Sequence, residues 1–82
     1  MKKLTAAEVN KARGTVYRWT DRENGYFTVV YGYNRRTSWL RCQGQSFLVC
    51  PDAECVQFDS VEEMRAEETA RRNNLATIRA GR

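Results

Sequence analysis

The chain has 82 residues, a formal net charge of +4 and no histidine. This length favours a single domain, so we expect residues 1–82 to form one domain with a small core. The absence of histidine removes the commonest general base and the commonest protein ligand for metals. We therefore expect no catalytic residues, no metal and no cofactor, and a protein that acts by binding through its outer surface.

The chain contains no apolar run near the ~18 residues that a membrane span needs. Lys2 and Lys3 stand near the N-terminus, but no apolar stretch follows them, which is unlike a secretory signal. We therefore expect a cytoplasmic protein with no membrane partner.

The three cysteines, Cys42, Cys50 and Cys55, are an odd number, which argues against a disulfide framework. Reduced thiols that pack as small apolar side chains are the favoured interpretation. A zinc site with Asp52 or Glu54 as a further ligand and a disulfide between Cys50 and Cys55 are the two minor alternatives.

The first element is a short helix over Ala6–Arg13. Thr5 and Glu8 have the spacing of a capping box, in which each residue bonds to the backbone of the other. Gly14 follows as a left-handed stop. Such a short helix is not stable alone in water, so we expect it to dock on the rest of the protein.

A series of short segments rich in β-branched and aromatic residues predicts five antiparallel strands. Gly32 falls inside the second strand, where glycine often marks a bulge. The intervening turns carry Asn-Gly, polar residues, glycine or proline. The predicted strands are Thr15–Thr20, Tyr26–Tyr33, Thr37–Gln43, Gln45–Cys50 and Glu54–Phe58.

A second helix begins after Ser60, which forms another capping-box pattern with Glu63. Carboxylates and arginines four residues apart support its middle, and Leu75–Arg82 is open between a further helical turn and a mobile tail. The fold class is therefore α+β: a short N-terminal helix, a five-strand antiparallel meander and a C-terminal helix. The meander can close into a small barrel or remain an open sheet covered by a helix.

Aromatic and basic residues alternate along the predicted strands. Guanidinium groups pair with phosphates and rings stack on unpaired bases, but Arg, Tyr and Trp are also the residues enriched at protein interface hot spots. The alternative is that these rings form the core, and we expect about half of them to be buried. The candidate binding residues are Arg18, Trp19, Arg22, Arg35, Arg36, Trp39 and Arg41.

Acidic residues cluster instead on the C-terminal helix, at Glu62, Glu63, Glu67 and Glu68. General acid–base chemistry or an acidic docking face is one interpretation. A capped, solvated helix carrying salt bridges is favoured, because arginines stand at pairing distance.

The stretch from Gly14 to Arg41, with short strands and an Asn-Gly turn, resembles small SH3-like barrels in outline. The small size and turn-rich strands are also similar in style to accessory proteins of phages and mobile elements, anti-CRISPR proteins among them. That resemblance implies a non-catalytic inhibitor or adaptor whose partner is a host or cellular protein or a nucleoprotein complex. The alternative is a nucleic-acid-binding module that uses the basic and aromatic hairpin. The moderate net charge places the protein-binding hypothesis slightly ahead.

Overall fold

The computed structural model describes residues 1–20 and 25–80, with side chains described as far as Asn74. It shows an open antiparallel sheet of six strands in the order β1-β6-β2-β3-β4-β5. A 3₁₀ helix, Ala6–Lys11, and an α-helix, α1 (Val61–Ala80), complete the fold. The strands are β1 (Lys2–Thr5), β2 (Val16–Thr20), β3 (Tyr26–Asn34), β4 (Trp39–Cys42), β5 (Gln45–Leu48) and β6 (Glu54–Gln57).

The α+β class and the antiparallel sheet are confirmed, but the prediction of five strands is wrong. Lys2–Thr5 forms an additional strand, which pairs with β6 from Leu4 opposite Cys55 to Lys2 opposite Gln57. β6 does not continue the meander beside β5 but lies between β1 and β2. A strand of four residues is too short to show a clear alternation of apolar and polar side chains, and its partner strand lies some fifty positions away in the chain. The sequence pattern therefore did not predict β1.

The predicted N-terminal helix over Ala6–Arg13 is a shorter 3₁₀ helix, Ala6–Lys11. The Glu8 carboxylate accepts hydrogen bonds from both the backbone amide and the hydroxyl of Thr5, at 2.9 and 3.0 Å, so the capping interaction forms. The first two amides, of Ala6 and Ala7, donate to carbonyls of the turn before β6. These bonds and the adjoining strand β1 fix the start of the segment, which is about two turns of 3₁₀ helix long.

The predicted bulge at Gly32 is confirmed. The register between β3 and β4 shifts between Val30 and Gly32, and this reverses the alternation of the side chains that follow. Strict alternation places Tyr31 and Tyr33 on one face, but Tyr33 is buried in the core while Tyr31 is 61% exposed. The extra residue is therefore what turns the Tyr33 ring inward.

The sheet has an apolar cluster on each face. On one face, the 3₁₀ helix and neighbouring residues cover the main core, which includes Leu4, Val9, Val16, Val30, Tyr33 and Leu40. On the other face, α1 lies over a set of aromatic rings on β2 and β3 with Phe58. Tyr17 and Trp19 both contact the buried ring of Phe27 there, so they lie on the same face of the sheet.

Helix α1 begins as predicted, since the Ser60 hydroxyl accepts from the amide of Glu63 at 3.1 Å. Both predicted pairs four residues apart form, with Arg71 bonded to Glu67 and Arg72 to Glu68. The backbone remains helical to Ala80. Of the two alternatives for the C-terminal residues, a further helical turn or a mobile tail, residues 75–80 therefore follow the first.

Side chains satisfy the backbone of β3 where neighbouring strands do not reach it. On one side, the amide group of Asn10 accepts from the Tyr33 amide at 3.0 Å and donates to the Tyr33 carbonyl at 2.7 Å. On α1, Glu68 accepts from the amide of Phe27 at 2.9 Å, and Arg72 donates to the carbonyl of Gly25 at 2.7 Å. These contacts dock both helical segments onto β3.

Candidate functional site

The predicted binding residues do not all lie on one surface. Arg18 lies on the core side of β2, where its guanidinium group stacks 4.7 Å from the centre of the Phe47 ring. Trp19 is half-buried beneath α1, with the Arg71 guanidinium 5.4 Å from its ring centre. Arg22 lies outside the described residues. Arg18 and Trp19 therefore serve packing, and we do not assign them to a common binding surface.

The other four, Arg35, Arg36, Trp39 and Arg41, lie together on the hairpin of β3 and β4, and all are exposed. The hairpin turn is ordered by Asn34, whose side-chain oxygen accepts from the amides of Arg36 and Thr37 at 2.9 and 3.3 Å. Such side-chain mimicry of a turn is a frequent role of asparagine.

Trp39 forms an exposed apolar pair with a residue of the neighbouring strand. Trp39 on β4 and Leu48 on β5 are direct cross-strand partners, and they are 46% and 66% exposed. Arg41 projects from the same face two residues further along β4, beside the small side chain of Ser46. We call Tyr31, Trp39, Arg41 and Leu48 the aromatic-basic face.

Tyr31 and Arg41 also line a shallow depression of about 510 Å³ over the β3 bulge. Gly32 is part of its surface, and a Cβ atom at this position would lie 3.2 Å from Asn10 Oδ1 and 3.7 Å from Arg41 Nη2. The missing side chain therefore helps to keep the depression open. The other lining residues are Asn10, Tyr33, Asn34 and Arg35.

The aromatic-basic face belongs to a stretch without acidic residues. Residues 25–51 contain no aspartate and no glutamate, whereas they carry the arginines Arg35, Arg36 and Arg41. Arg35 donates one bond to the carbonyl of Ala7 at 3.1 Å, which holds its guanidinium group over the 3₁₀ helix. The positive charge on this hairpin therefore has no carboxylate within its own stretch of sequence to neutralise it.

Sequence reasoning missed Leu48 and did not place Tyr31 among the binding residues. The signal for Leu48 was present: a tight turn at Gln43–Gly44 makes Cys42 and Gln45 partners, and counting back pairs Trp39 with Leu48. Tyr31 could not be placed on this face without the register between β3 and β4, which brings the bulge beside Arg41. Among the tyrosine and tryptophan rings of the sheet, Tyr33 is buried, Tyr17 and Trp19 are half-buried, and Tyr26, Tyr31 and Trp39 are exposed.

The cysteines show no metal cluster within the described part of the chain. All three thiols are free: Cys42 and Cys55 are buried and Cys50 is exposed. Burial raises the pKa of the Cys55 thiol to about 11 and also raises that of Cys42. Both buried thiols are therefore protonated at neutral pH and unsuited to act as nucleophiles.

Comparison with known proteins adds no identification. No family model, no curated protein and no solved structure matches the chain. In the part of the chain that the structure describes, no helix has both the length and the apolar character needed to cross a membrane.

Proposed function

We propose that this chain is a small, non-catalytic protein-binding inhibitor or adaptor that contacts its partner through the aromatic-basic face. The observation that carries the proposal is the exposed pair of Trp39 and Leu48 beside Arg41. Trp, Tyr and Arg dominate interface hot spots because they combine large contact areas with directional hydrogen bonds. Exposed apolar clusters of this kind commonly mark interaction sites.

The charge distribution indicates the chemistry of the partner. Arg41 lies beside the apolar pair, Arg35 and Arg36 lie on the same hairpin, and residues 25–51 contain no carboxylate. An acidic surface with an apolar centre is complementary to this arrangement, and complementary charge raises the rate of association. The target is therefore an acidic cellular protein or nucleoprotein complex, in the manner of the small inhibitors that phages and mobile elements carry.

Affinity capture with matched variants tests this proposal. The wild type, Trp39→Ala and Tyr26→Ala are each immobilised and exposed to nuclease-treated cell extract. Tyr26 is an exposed ring, 42% accessible, outside the aromatic-basic face. We expect a stoichiometric protein partner that the wild type and Tyr26→Ala retain and that Trp39→Ala loses. Equal retention by all three proteins would contradict the proposal.

A nucleic-acid-binding function is the second candidate, favoured by the exposed rings of Tyr31 and Trp39 among three arginines. Leu48 places it second, because stacking and phosphate contacts make no use of an exposed aliphatic side chain. A Trp19→Phe variant leaves Trp39 as the only tryptophan for a fluorescence titration with random oligonucleotides. Quenching at low salt that disappears as salt is added would favour nucleic acid, and no response would favour a protein partner.

A further inference from the structure

The outermost strand, β5, has backbone groups that point away from the sheet. The amide of Val49 donates to the carbonyl of Ser38 on the β4 side at 3.0 Å. In an antiparallel ladder, successive residues alternate between facing the partner strand and facing away from it. Gln45 and Phe47 therefore direct their amides and carbonyls towards β4, whereas Ser46 and Leu48 direct theirs outward. Within the described residues, no strand lies beyond β5.

This edge differs from the other exposed backbone of the sheet. Asn10 satisfies β3 at Tyr33, and side chains of α1 satisfy it near Phe27. The opposite edge strand, β1, carries Lys2 and Lys3, and lysines on an edge oppose pairing with another strand. β5 contains neither a charged residue nor a proline, and its face displays Leu48 at 66% exposure. It is therefore an edge on which a further strand can pair.

We propose that β5 pairs with an extended acidic segment of the partner protein, which adds a seventh strand to the sheet. This inference rests on the protein-binding function proposed above. The main-chain bonds go to Ser46 and Leu48, as in other complexes formed by strand addition. The same segment lies beside the aromatic-basic face. Its side chains therefore extend two rows of side chains that cross β4 and β5, Trp39–Leu48 and Arg41–Ser46.

The two rows define the chemistry of the segment. An apolar side chain next to Leu48 continues the Trp39–Leu48 row. An acidic side chain next to Ser46 lies within reach of the Arg41 guanidinium group, because the small Ser46 side chain does not block the path between them. The segment therefore carries an acidic and an apolar residue two positions apart, since such residues share a face of a strand.

A second copy of this chain is a poor occupant of the same edge. Pairing two copies through β5 would bring the arginines of two acid-free hairpins towards each other. Like charges near one another across paired strands are destabilising. The complementary occupant is an acidic segment of a different protein.

Selection from a library of displayed random peptides tests the inference with the full chain as bait. Ser46→Pro removes an outward amide, and proline is tolerated on an edge strand at such a position. Ser46→Glu keeps the outward amide and places a carboxylate beside Arg41, so it tests the contact between Arg41 and the acidic side chain of the segment, including where the proline variant does not fold. Trp39→Ala serves as the variant of the face. Thermal unfolding establishes that each bait is folded.

We expect the wild type to enrich peptides with an acidic and an apolar residue two positions apart. Binding of these peptides should fall by about tenfold or more in Ser46→Pro, Ser46→Glu and Trp39→Ala. Retention by both Ser46 variants with loss in Trp39→Ala would overturn strand addition and leave the face as the binding site. Retention by all variants would overturn the proposed function as well. Enrichment of no peptide, or of peptides displaced by random oligonucleotides, would also overturn the inference.

Discussion

The Asn10 side chain substitutes for a missing strand beside β3, and its removal has a predictable cost. Its amide group makes two bonds to the backbone of Tyr33, at 2.7 and 3.0 Å, across 23 positions of sequence. This pairing holds the 3₁₀ helix against the sheet next to the bulge. Asn10→Ala deletes both bonds and changes no other group.

The magnitude follows from the two bonds. Each intramolecular hydrogen bond contributes about 0.5–1.5 kcal/mol net, so we expect Asn10→Ala to lower the free energy of unfolding by about 1–3 kcal/mol. In a domain of this size, a loss of about 2 kcal/mol lowers Tm by roughly 8–16 °C. Asn10→Asp has the same shape and keeps the acceptor for the Tyr33 amide. It replaces the donor by a carboxylate oxygen that faces the Tyr33 carbonyl, so it should be no more stable than Asn10→Ala.

Urea unfolding monitored by circular dichroism measures these differences, with Asn74→Ala as the control. Asn74 is exposed on α1, and alanine favours helices more than asparagine, so this variant should be as stable as the wild type or more stable. Wild-type stability in Asn10→Asp would contradict this prediction, because it would mean that the bond donated to the Tyr33 carbonyl contributes nothing. A loss below about 0.5 kcal/mol in Asn10→Ala would refute it as well.

Three further predictions concern stability. Gly25→Ala should destabilise the protein more than Gly44→Ala in thermal unfolding. Both glycines have a positive φ, of 72° and 80°. A Cβ atom at Gly25 would lie 2.5 Å from the Trp19 ring, whereas a Cβ atom at Gly44 would meet no atom within 4 Å. Equal losses would contradict the contact with Trp19. Burial raises the pKa of the Cys55 thiol from 9.0 to about 11 in the folded state, so the free energy of unfolding should fall as pH rises through this range. Cys55→Ala should flatten this pH dependence in urea unfolding between pH 8 and 11. The same slope in the variant would assign the alkaline loss to other groups. Glu68→Gln should be more stable than Glu68→Ala, because the amide oxygen can still accept the strand bond made at 2.9 Å, and identical urea midpoints would contradict this role.

Features determined by neighbouring residues could be predicted from the sequence. The capping interaction of Thr5 with Glu8 and the start of α1 at Ser60 depend on groups three residues apart. The bulge follows from a glycine within a strand, at Gly32. The reversal at Gly44 follows in the same way from the left-handed conformation that glycine adopts easily.

Features that join distant segments could not be predicted in this way. The position of β6 between β1 and β2 depends on pairing between segments that are far apart in the chain, for which no local pattern exists. The bond between Glu68 and the Phe27 amide joins residues 41 positions apart. The i,i+4 pattern on α1 indicated only its contact with Arg72, so the way α1 docks was not readable from the sequence.

The same division applies to the candidate binding residues. Arg35, Arg36, Trp39 and Arg41 come from one hairpin, and local turn chemistry places them together. Trp19 depends on where α1 lies, because Arg71 and the ring of Phe27 cover it. Composition alone could not separate a ring packed under a helix from one exposed on a strand.

Photo-crosslinking at position 39 in cells tests whether the aromatic-basic face contacts a partner protein. Trp39 is replaced by a photoreactive phenylalanine analogue, and Tyr26 is replaced in a parallel variant as the control, since both positions are exposed. We expect a discrete protein adduct from position 39 and none from position 26. Adducts only to nucleic acid at position 39, or the same protein adducts from both positions, would contradict this expectation.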